Sequence, residues 1–301
     1  MKFTVVIPCY KSTAALDALV ADILFQYKGQ CHEIILVQDG PDEITSARLR
    51  SVESISGCVR VIQLEKNAGQ HQATLCGLQH ADSAYSVITM DDDGQVQAEE
   101  ICKLITEATQ LKADIAYGLY TERYHSRVRQ VLSKFFSNTI SRYSNIPSQG
   151  SSFKLIAPSV VTRLKNYNAS FVYLDEVLAW YSDTTVFIEV NHVPRKEGSS
   201  GYTWLKLFGL GWRIMLNYTS IPYRLMAYSG LALLVGTFSL GYNWFYNCAM
   251  GLLPIVNIPI VILLSCTLAI LMVGLGFIGS LQRKKDVICD SKGSGYHIKL
   301  K

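Results

Sequence analysis

The chain has 301 residues, of which 49% are hydrophobic and 17% charged, with a net charge of +4. The charged share lies below the ~25% usual for a soluble domain, because no Asp, Glu, Lys, Arg or His occurs between Leu225 and Gln282. The eight cysteines are scattered with no C-x-x-C pair, which excludes a zinc ligand set and a disulfide framework. The modest charge, without a recognition motif, argues against nucleic acid and for an anionic lipid or phosphate partner.

In chain order, Phe3 to Ile7 reads as a strand and Ala14 to Tyr27 as an amphipathic helix. No cleavable signal peptide is expected, because the apolar run after Met1-Lys2 is too short for an h-region and meets Pro8. Glu33 to Val37 is a strand ending in Gln38, Asp39, Gly40 and Pro41. Val59 to Leu64 is a strand and Gln70 to Ala81 a helix. Tyr85 to Met90 is a strand, Ala98 to Leu111 a helix, and Ile115 to Tyr117 a short strand. Such alternation predicts an α/β domain with a mostly parallel, doubly wound sheet. The ends of four strands, at Pro8-Cys9-Tyr10, Asp39-Gly40, Asn67 and Asp91 to Gln95, then face one edge, where ligands of open α/β sheets bind.

The run Met90-Asp-Asp-Asp-Gly-Gln95 is the strongest chemical signal. Three adjacent carboxylates repel one another. Either water solvates them in an Asp-Gly turn, or a hard dication, Mg²⁺ or Mn²⁺, binds them and shares itself with substrate phosphates. The four clustered strand ends favour the second reading. Neither G-x-G-x-x-G nor G-x-x-x-x-G-K-[ST] occurs, so phosphate binding would rely on metal and basic side chains.

Beyond residue 120 the pattern turns helical and basic, with Arg123, Arg127, Arg129, Lys134 and Arg142. This is either a solvated face or one suited to a membrane surface or lipid phosphate. A strand is expected over Gln149 to Leu155, a helix over Val172 to Trp180 carrying Asp175 and Glu176, and a strand over Thr185 to Val190. A polar loop, His192 to Tyr202, leads to an amphipathic helix over Thr203 to Tyr218, which either lies in the membrane interface or packs in a core. Two uncharged spans, about 225–246 and 258–281, each exceed the ~20 residues that cross a bilayer. A buried helical hairpin in a soluble core is the weaker alternative. Arg213 and Arg224 before the spans, and Arg283, Lys284 and Lys285 after them, put both ends on the cytoplasmic side. The expected organisation is a globular domain over 1–202, a juxtamembrane segment over 203–224, two transmembrane helices within 225–282, and a cytoplasmic tail over 283–301.

These residues resemble a known family. VVIPCY (5–10), ILVQDG (35–40), EKNAGQHQATLCGLQHA (65–81), MDDDGQ (90–95) and RKEGSSGYTWLKL (195–207) resemble motifs of family 2 glycosyltransferases of the GT-A fold. The polyisoprenyl-phosphate subgroup, which includes dolichol-phosphate mannose synthases and bactoprenol-phosphate sugar transferases, is the nearest. The resemblance implies a nucleotide-sugar donor, a polyprenyl phosphate acceptor, inversion, and Mg²⁺ or Mn²⁺. It also implies a multi-pass place in the bacterial inner membrane with the catalytic domain in the cytoplasm, serving cell envelope glycan synthesis; a homo-oligomer is left open. Pro8, Tyr10 and Asp39 would hold the nucleoside, with Asn67 nearby. Asp91 and Asp92 would border ribose and diphosphate, and Asp93 and Gln95, with Asp91, the metal. Arg127, Arg129 and Lys134 would meet the acceptor phosphate. Arg195, Ser199 and Tyr202 would line the active-site loop. Asp93, Asp91, Arg127 and Arg129 are the expected catalytic set.

Several positions depart from the family pattern. Ser12 stands where Glu is frequent, Gln38 replaces the first Asp of Asp-Asp-Gly, Asp92 replaces a small residue, and Tyr120 falls where Arg is common. Asp175-Glu176 occupies a region where the glucosyltransferases show Arg-Gly. Two rivals follow: a transferase acting on a hydroxyl of a lipid-linked saccharide, with Asp175 or Glu176 as base, and a non-catalytic membrane scaffold. A processive polysaccharide synthase is disfavoured by the missing Gln-x-x-Arg-Trp motif.

Overall fold

A computed structural model describes residues 1–120, 151–168, 172–193, 209, 221–251 and 258–292. The chain divides into two compact units, Met1–Thr203 and Trp204–Lys301.

The first unit is built on β1 (Phe3–Cys9), α1 (Ala14–Gln26), β2 (Cys31–Gln38), α2 (Glu43–Glu53), β3 (Val59–Gln63), α3 (Gln70–His80), β4 (Ser86–Thr89), α4 (Glu100–Gln110), β5 (Ile115–Tyr120), β6 (Lys154–Ile156), α5 (Pro158–Leu164), α6 (Leu174–Tyr181) and β7 (Thr185–Val190). The seven strands form one sheet in the order β3-β2-β1-β4-β6-β5-β7. Only β6 runs against its neighbours, pairing antiparallel with both β4 and β5. Every residue of β1 is buried, as expected of a central parallel strand covered on both faces. Phe3, Val5 and Ile7 pack with Leu16, Val20 and Ile23 of α1 and with Ile101 and Leu104 of α4.

The sequence suggests no element over 43–53, yet α2 is there. Its apolar face is thin: only Thr45, Leu49 and Val52 are buried. What starts it is a cap, with Asp42 accepting the Thr45 N–H at 2.9 Å. That bond, with the Thr45 hydroxyl, holds the Asp42 carboxyl below its ordinary range. Helix α5 was likewise unmarked; it is seven residues long and opens on Pro158. The strand expected over 149–155 is β6, which pairs with β4 only over 154–156.

In the second unit, α7 (Ile221–Ala249) and α8 (Ile258–Lys292) pack against each other. Small residues allow the approach: a Cβ on Gly230 would lie 2.8 Å from the Ala269 carbonyl oxygen, and one on Gly276 would lie 2.6 Å from that of Tyr223. Thr237 Oγ1 donates to Ser265 Oγ at 3.2 Å across the pair. Large apolar side chains face outward, among them Phe238, Phe245, Leu263 and Phe277. Segments 221–249 and 260–279 have mean hydropathies of 1.4 and 2.6. At 1.5 Å per residue, 20 residues rise about 30 Å, the depth of a bilayer's hydrocarbon core. These are two candidate membrane helices. The helix expected over 203–218 lies outside the described residues, apart from Gly209.

Candidate active site

The carboxyl ends of β1, β2 and β4 lie side by side because the strands are parallel and adjacent. At the end of β2, Gly40 has φ +87°, and a Cβ there would meet the Asn67 backbone nitrogen at 2.7 Å. Only glycine suits that turn and that approach. Asp39, 4% exposed, accepts the Ala68 N–H at 2.7 Å and the Gly69 N–H at 3.0 Å. Both its oxygens are thus engaged by backbone, so Asp39 ties the Asn67–Gly69 loop to β2. Asn67 Nδ2 in turn donates to the Asp39 carbonyl at 3.4 Å. Gln38 is turned away from the site, donating to the Asp42 carbonyl and to Ser46 Oγ at 3.1 and 2.9 Å. Beyond β1, Pro8 is buried and Tyr10 stands 55% exposed with the Lys11 ammonium 5.5 Å from its ring centre.

The acidic residues follow β4, and all three are half-buried. Asp91 accepts from Gln70 Nε2 and from Ser152 Oγ, each at 2.6 Å. Burial pushes its carboxyl up to about 6, and Asp93 and Asp92 add to this, while the Ser152 bond and Lys154 oppose it. Asp92 is also raised, first by burial; it accepts from Ser12 Oγ at 2.5 Å. Asp93 Oδ1 accepts the Gln95 N–H at 3.1 Å, in a turn made possible by Gly94 at φ +67°. The Gln95 carbonyl accepts the Val193 N–H at 2.9 Å, which joins this turn to the segment leaving β7.

Among the described residues no three His, Cys, Asp or Glu side chains converge as a ready-made metal cage. A Mg²⁺-type ion on a nucleotide needs no such cage, because it uses one or two carboxylates and fills its shell with phosphate oxygens and water. Burial, with the neighbouring carboxylates, raises Asp91 and Asp92, and a divalent cation would offset that cost. The residues therefore fit such an ion.

Behind Asp91 a cavity of about 200 Å³ extends between β4, β6 and the first turns of α3 and α6. Its lining includes Pro8, Gln70, His71, Asp91, Lys154 and Asp175. Lys154 and Asp175, 3% and 6% exposed, form an ion pair at 2.5 Å, and the Tyr117 hydroxyl donates to the same carboxylate oxygen at 3.1 Å. Burial alone would raise Asp175, but Lys154, His71 and these hydrogen bonds bring it below its usual value. The sequence reading missed His71, Lys154, Gln70 and Ser152. The one signal for Lys154 was a lysine inside the apolar run Phe153–Ile156, which implies a buried partner.

Residues 4–164 match the sequence profile of Glycosyl transferase family 2. The chain belongs to that family. Among its relatives, undecaprenyl-phosphate 4-deoxy-4-formamido-L-arabinose transferase of Proteus mirabilis (strain HI4320) is 28% identical over 244 residues, covering 79% of this chain and 74% of the relative. The transferase of the same name from Serratia proteamaculans (strain 568) is also 28% identical over 244 residues, with the same coverage of both chains. In solved structures, glucosyl-3-phosphoglycerate synthase from Mycobacterium tuberculosis in complex with Mn²⁺, UDP and glucosyl-3-phosphoglycerate aligns with a TM-score of 0.54. The alignment covers 71% of this chain and 77% of that one at 14% identity, a likeness of fold alone.

For a family 2 glycosyltransferase, the sheet edge is the expected place for the donor. The structure brings Pro8, Tyr10, Asp39, Asn67, Asp91, Asp92, Asp93 and Gln95 to that edge. Tyr120 flanks the tip, its hydroxyl hydrogen-bonded to Ser151 and Ser152 and its ring centre 4.2 Å from that of His192. Arg127, Arg129, Lys134, Arg195, Ser199 and Tyr202 lie outside the described residues.

Proposed function

We propose that this transferase moves a sugar from a nucleotide-sugar to a polyprenyl phosphate, with inversion and with the help of Mg²⁺ or Mn²⁺. The observation that carries this reading is the acidic turn Asp91–Asp93, set beside a polar cavity at the ends of parallel strands. The names of the relatives supply the acceptor class.

The nucleoside would lie over Pro8 and the exposed Tyr10 ring, against the loop that Asp39 holds. Asp93 and Gln95, with Asp91, would hold the metal, which when bound offsets negative charge on the departing diphosphate. An acceptor phosphate oxygen attacks the anomeric carbon as the bond to the diphosphate oxygen breaks, and that bonding pair leaves with the nucleoside diphosphate. The acceptor is already an anion, since a phosphate monoester has a second pKa near 6. No general base is needed. Arg127, Arg129 and Lys134 are assigned to the acceptor phosphate, and Arg195, Ser199 and Tyr202 to substrate binding from a loop near the active site. Helices α7 and α8 would form a membrane hairpin with both ends cytoplasmic, in the inner membrane of a bacterium, with residues 1–202 as the catalytic domain.

The rival that uses a sugar hydroxyl as acceptor needs a base poised near neutrality. Asp175 does not suit that task, because Lys154 and Tyr117 hold its carboxylate and depress its proton affinity. Glu176 is buried and accepts from Trp180 Nε1 at 3.2 Å. A screen of nucleotide-sugars with undecaprenyl phosphate as sole acceptor, with and without Mn²⁺, tests the proposal. The expected product is a polyprenyl-phosphate sugar, formed only with the metal. Transfer that requires a lipid-linked saccharide would overturn it.

A further inference from the structure

The cavity behind Asp91 has an inner end that the reaction above leaves unused. Lys154 Nζ makes one hydrogen bond among the described residues, to Asp175 Oδ1, and so keeps two of its three protons. Asp175 Oδ2 takes none from the described residues. His71 is half-buried in the cavity wall, its ring centre 4.7 Å from that of Tyr173. Its Nδ1 accepts the Leu174 N–H at 3.4 Å, which leaves the proton on Nε2. The inner end therefore offers fixed N–H donors from two residues and one carboxylate acceptor.

Lys154 and Asp175 cancel each other, His71 with Nδ1 as acceptor is neutral, and Asp91 at the mouth adds only negative charge. A carboxylate entering here would meet Asp175 and Asp91 with the only lysine already paired, and a phosphate would fare worse. The volume, about 200 Å³, is below the ~300–1,000 Å³ of drug-sized pockets and suits one sugar ring.

We propose that this cavity receives the ring of the transferred sugar and rejects an anionic one, with His71 Nε2 and Lys154 Nζ donating to its hydroxyl or amide oxygens. The inference rests on the nucleotide-sugar reading above and adds the substrate class and the residue that reads it. His71 is the specificity contact. Asp175 is a positioning residue that holds Lys154.

The test is calorimetric binding to the full chain in detergent with Mn²⁺, which requires no acceptor. The ligands are UDP, UDP-glucose, UDP-N-acetylglucosamine, UDP-glucuronate, GDP and GDP-mannose. At least one uncharged sugar nucleotide should bind more tightly than its parent diphosphate, and UDP-glucuronate should gain nothing over UDP. His71→Ala should cut the sugar-dependent gain by about tenfold, the worth of one buried hydrogen bond, and leave the diphosphate Kd within about twofold. His71→Phe, which keeps a ring against Tyr173, should show the same loss, and His71→Gln should recover part of it. If the variants weaken diphosphate and sugar nucleotide equally, or neither, or if the glucuronate binds best, the inference is wrong. A sugar-dependent gain that persists while undecaprenyl phosphate accepts nothing contradicts the acceptor reading alone. Failure of every ligand to bind contradicts both.

Discussion

The two sides of the acidic turn are organised by different physics. On the β1–β2 side, loops are held by uncharged donors on lone carboxylates, backbone N–H groups on Asp39 and Ser12 on Asp92, and by a glycine where Gly40 passes Asn67. On the β6 side, the wall is built around a buried ion pair, Lys154–Asp175, with Tyr117 and His71 packed about it. The first arrangement shapes a surface for a ligand that brings its own charge. The second forms a pocket whose one cation is already paired. A nucleotide diphosphate belongs to the first kind of site and a sugar ring to the second.

The comparison breaks most sharply at Lys154. Lys154→Met leaves Asp175 buried without its partner and should cost about 3–5 kcal/mol in denaturant unfolding of the full chain. The double variant Lys154→Met/Asp175→Leu should recover most of that. A single-variant loss under about 1 kcal/mol would mean that the pair is solvated and the wall is not dry.

Acidification should act on the same side. Burial, with Lys154, lowers His71 from 6.5 to about 4. The unfolded chain therefore takes the proton first. The stability this contributes is complete above the unfolded value and drains as pH falls from 6.5 towards 4, by at most about 3 kcal/mol. Asp91 has the opposite sign. Raised from 3.8 to about 6, it adds stability as pH falls through 6. Melting curves of wild type and His71→Phe between pH 7 and 4.5 separate the two, and wild type should lose more. Parallel curves would contradict a buried neutral imidazole.

A smaller effect is expected on the β1–β2 side. Asp39→Ala removes the acceptor for the Ala68 and Gly69 N–H groups and should cost about 1–3 kcal/mol, with weaker UDP or GDP binding. Asp39→Asn should restore part of the stability by keeping one acceptor oxygen. If Asp39→Ala is fully stable yet loses nucleotide, the carboxylate contacts the ligand directly instead of through the loop.

Much of the first side was readable from sequence, because a strand buried on both faces is a continuous apolar run and DDDGQ marks where it stops. The second side was hidden. Strand β6 is three residues long and runs against its neighbours, so neither length nor alternation announces it. Its lysine finds Asp175 through the fold, 21 residues further along the chain. Two departures from the family pattern that look unrelated in sequence turn out to touch. Ser12, where Glu is frequent, donates to Asp92, where a small residue is usual. The pair keeps one carboxylate in that corner and moves it from one loop to the other.

The central claim is that the acidic turn after β4 works through a divalent cation on a sugar donor. Transfer to undecaprenyl phosphate by wild type and Asp93→Ala, at matched folding and across an Mn²⁺ titration, tests it most directly. The account predicts metal-dependent transfer by wild type and a loss of about a hundredfold or more in Asp93→Ala that added Mn²⁺ does not rescue. Near-normal, metal-independent transfer by the variant would contradict it.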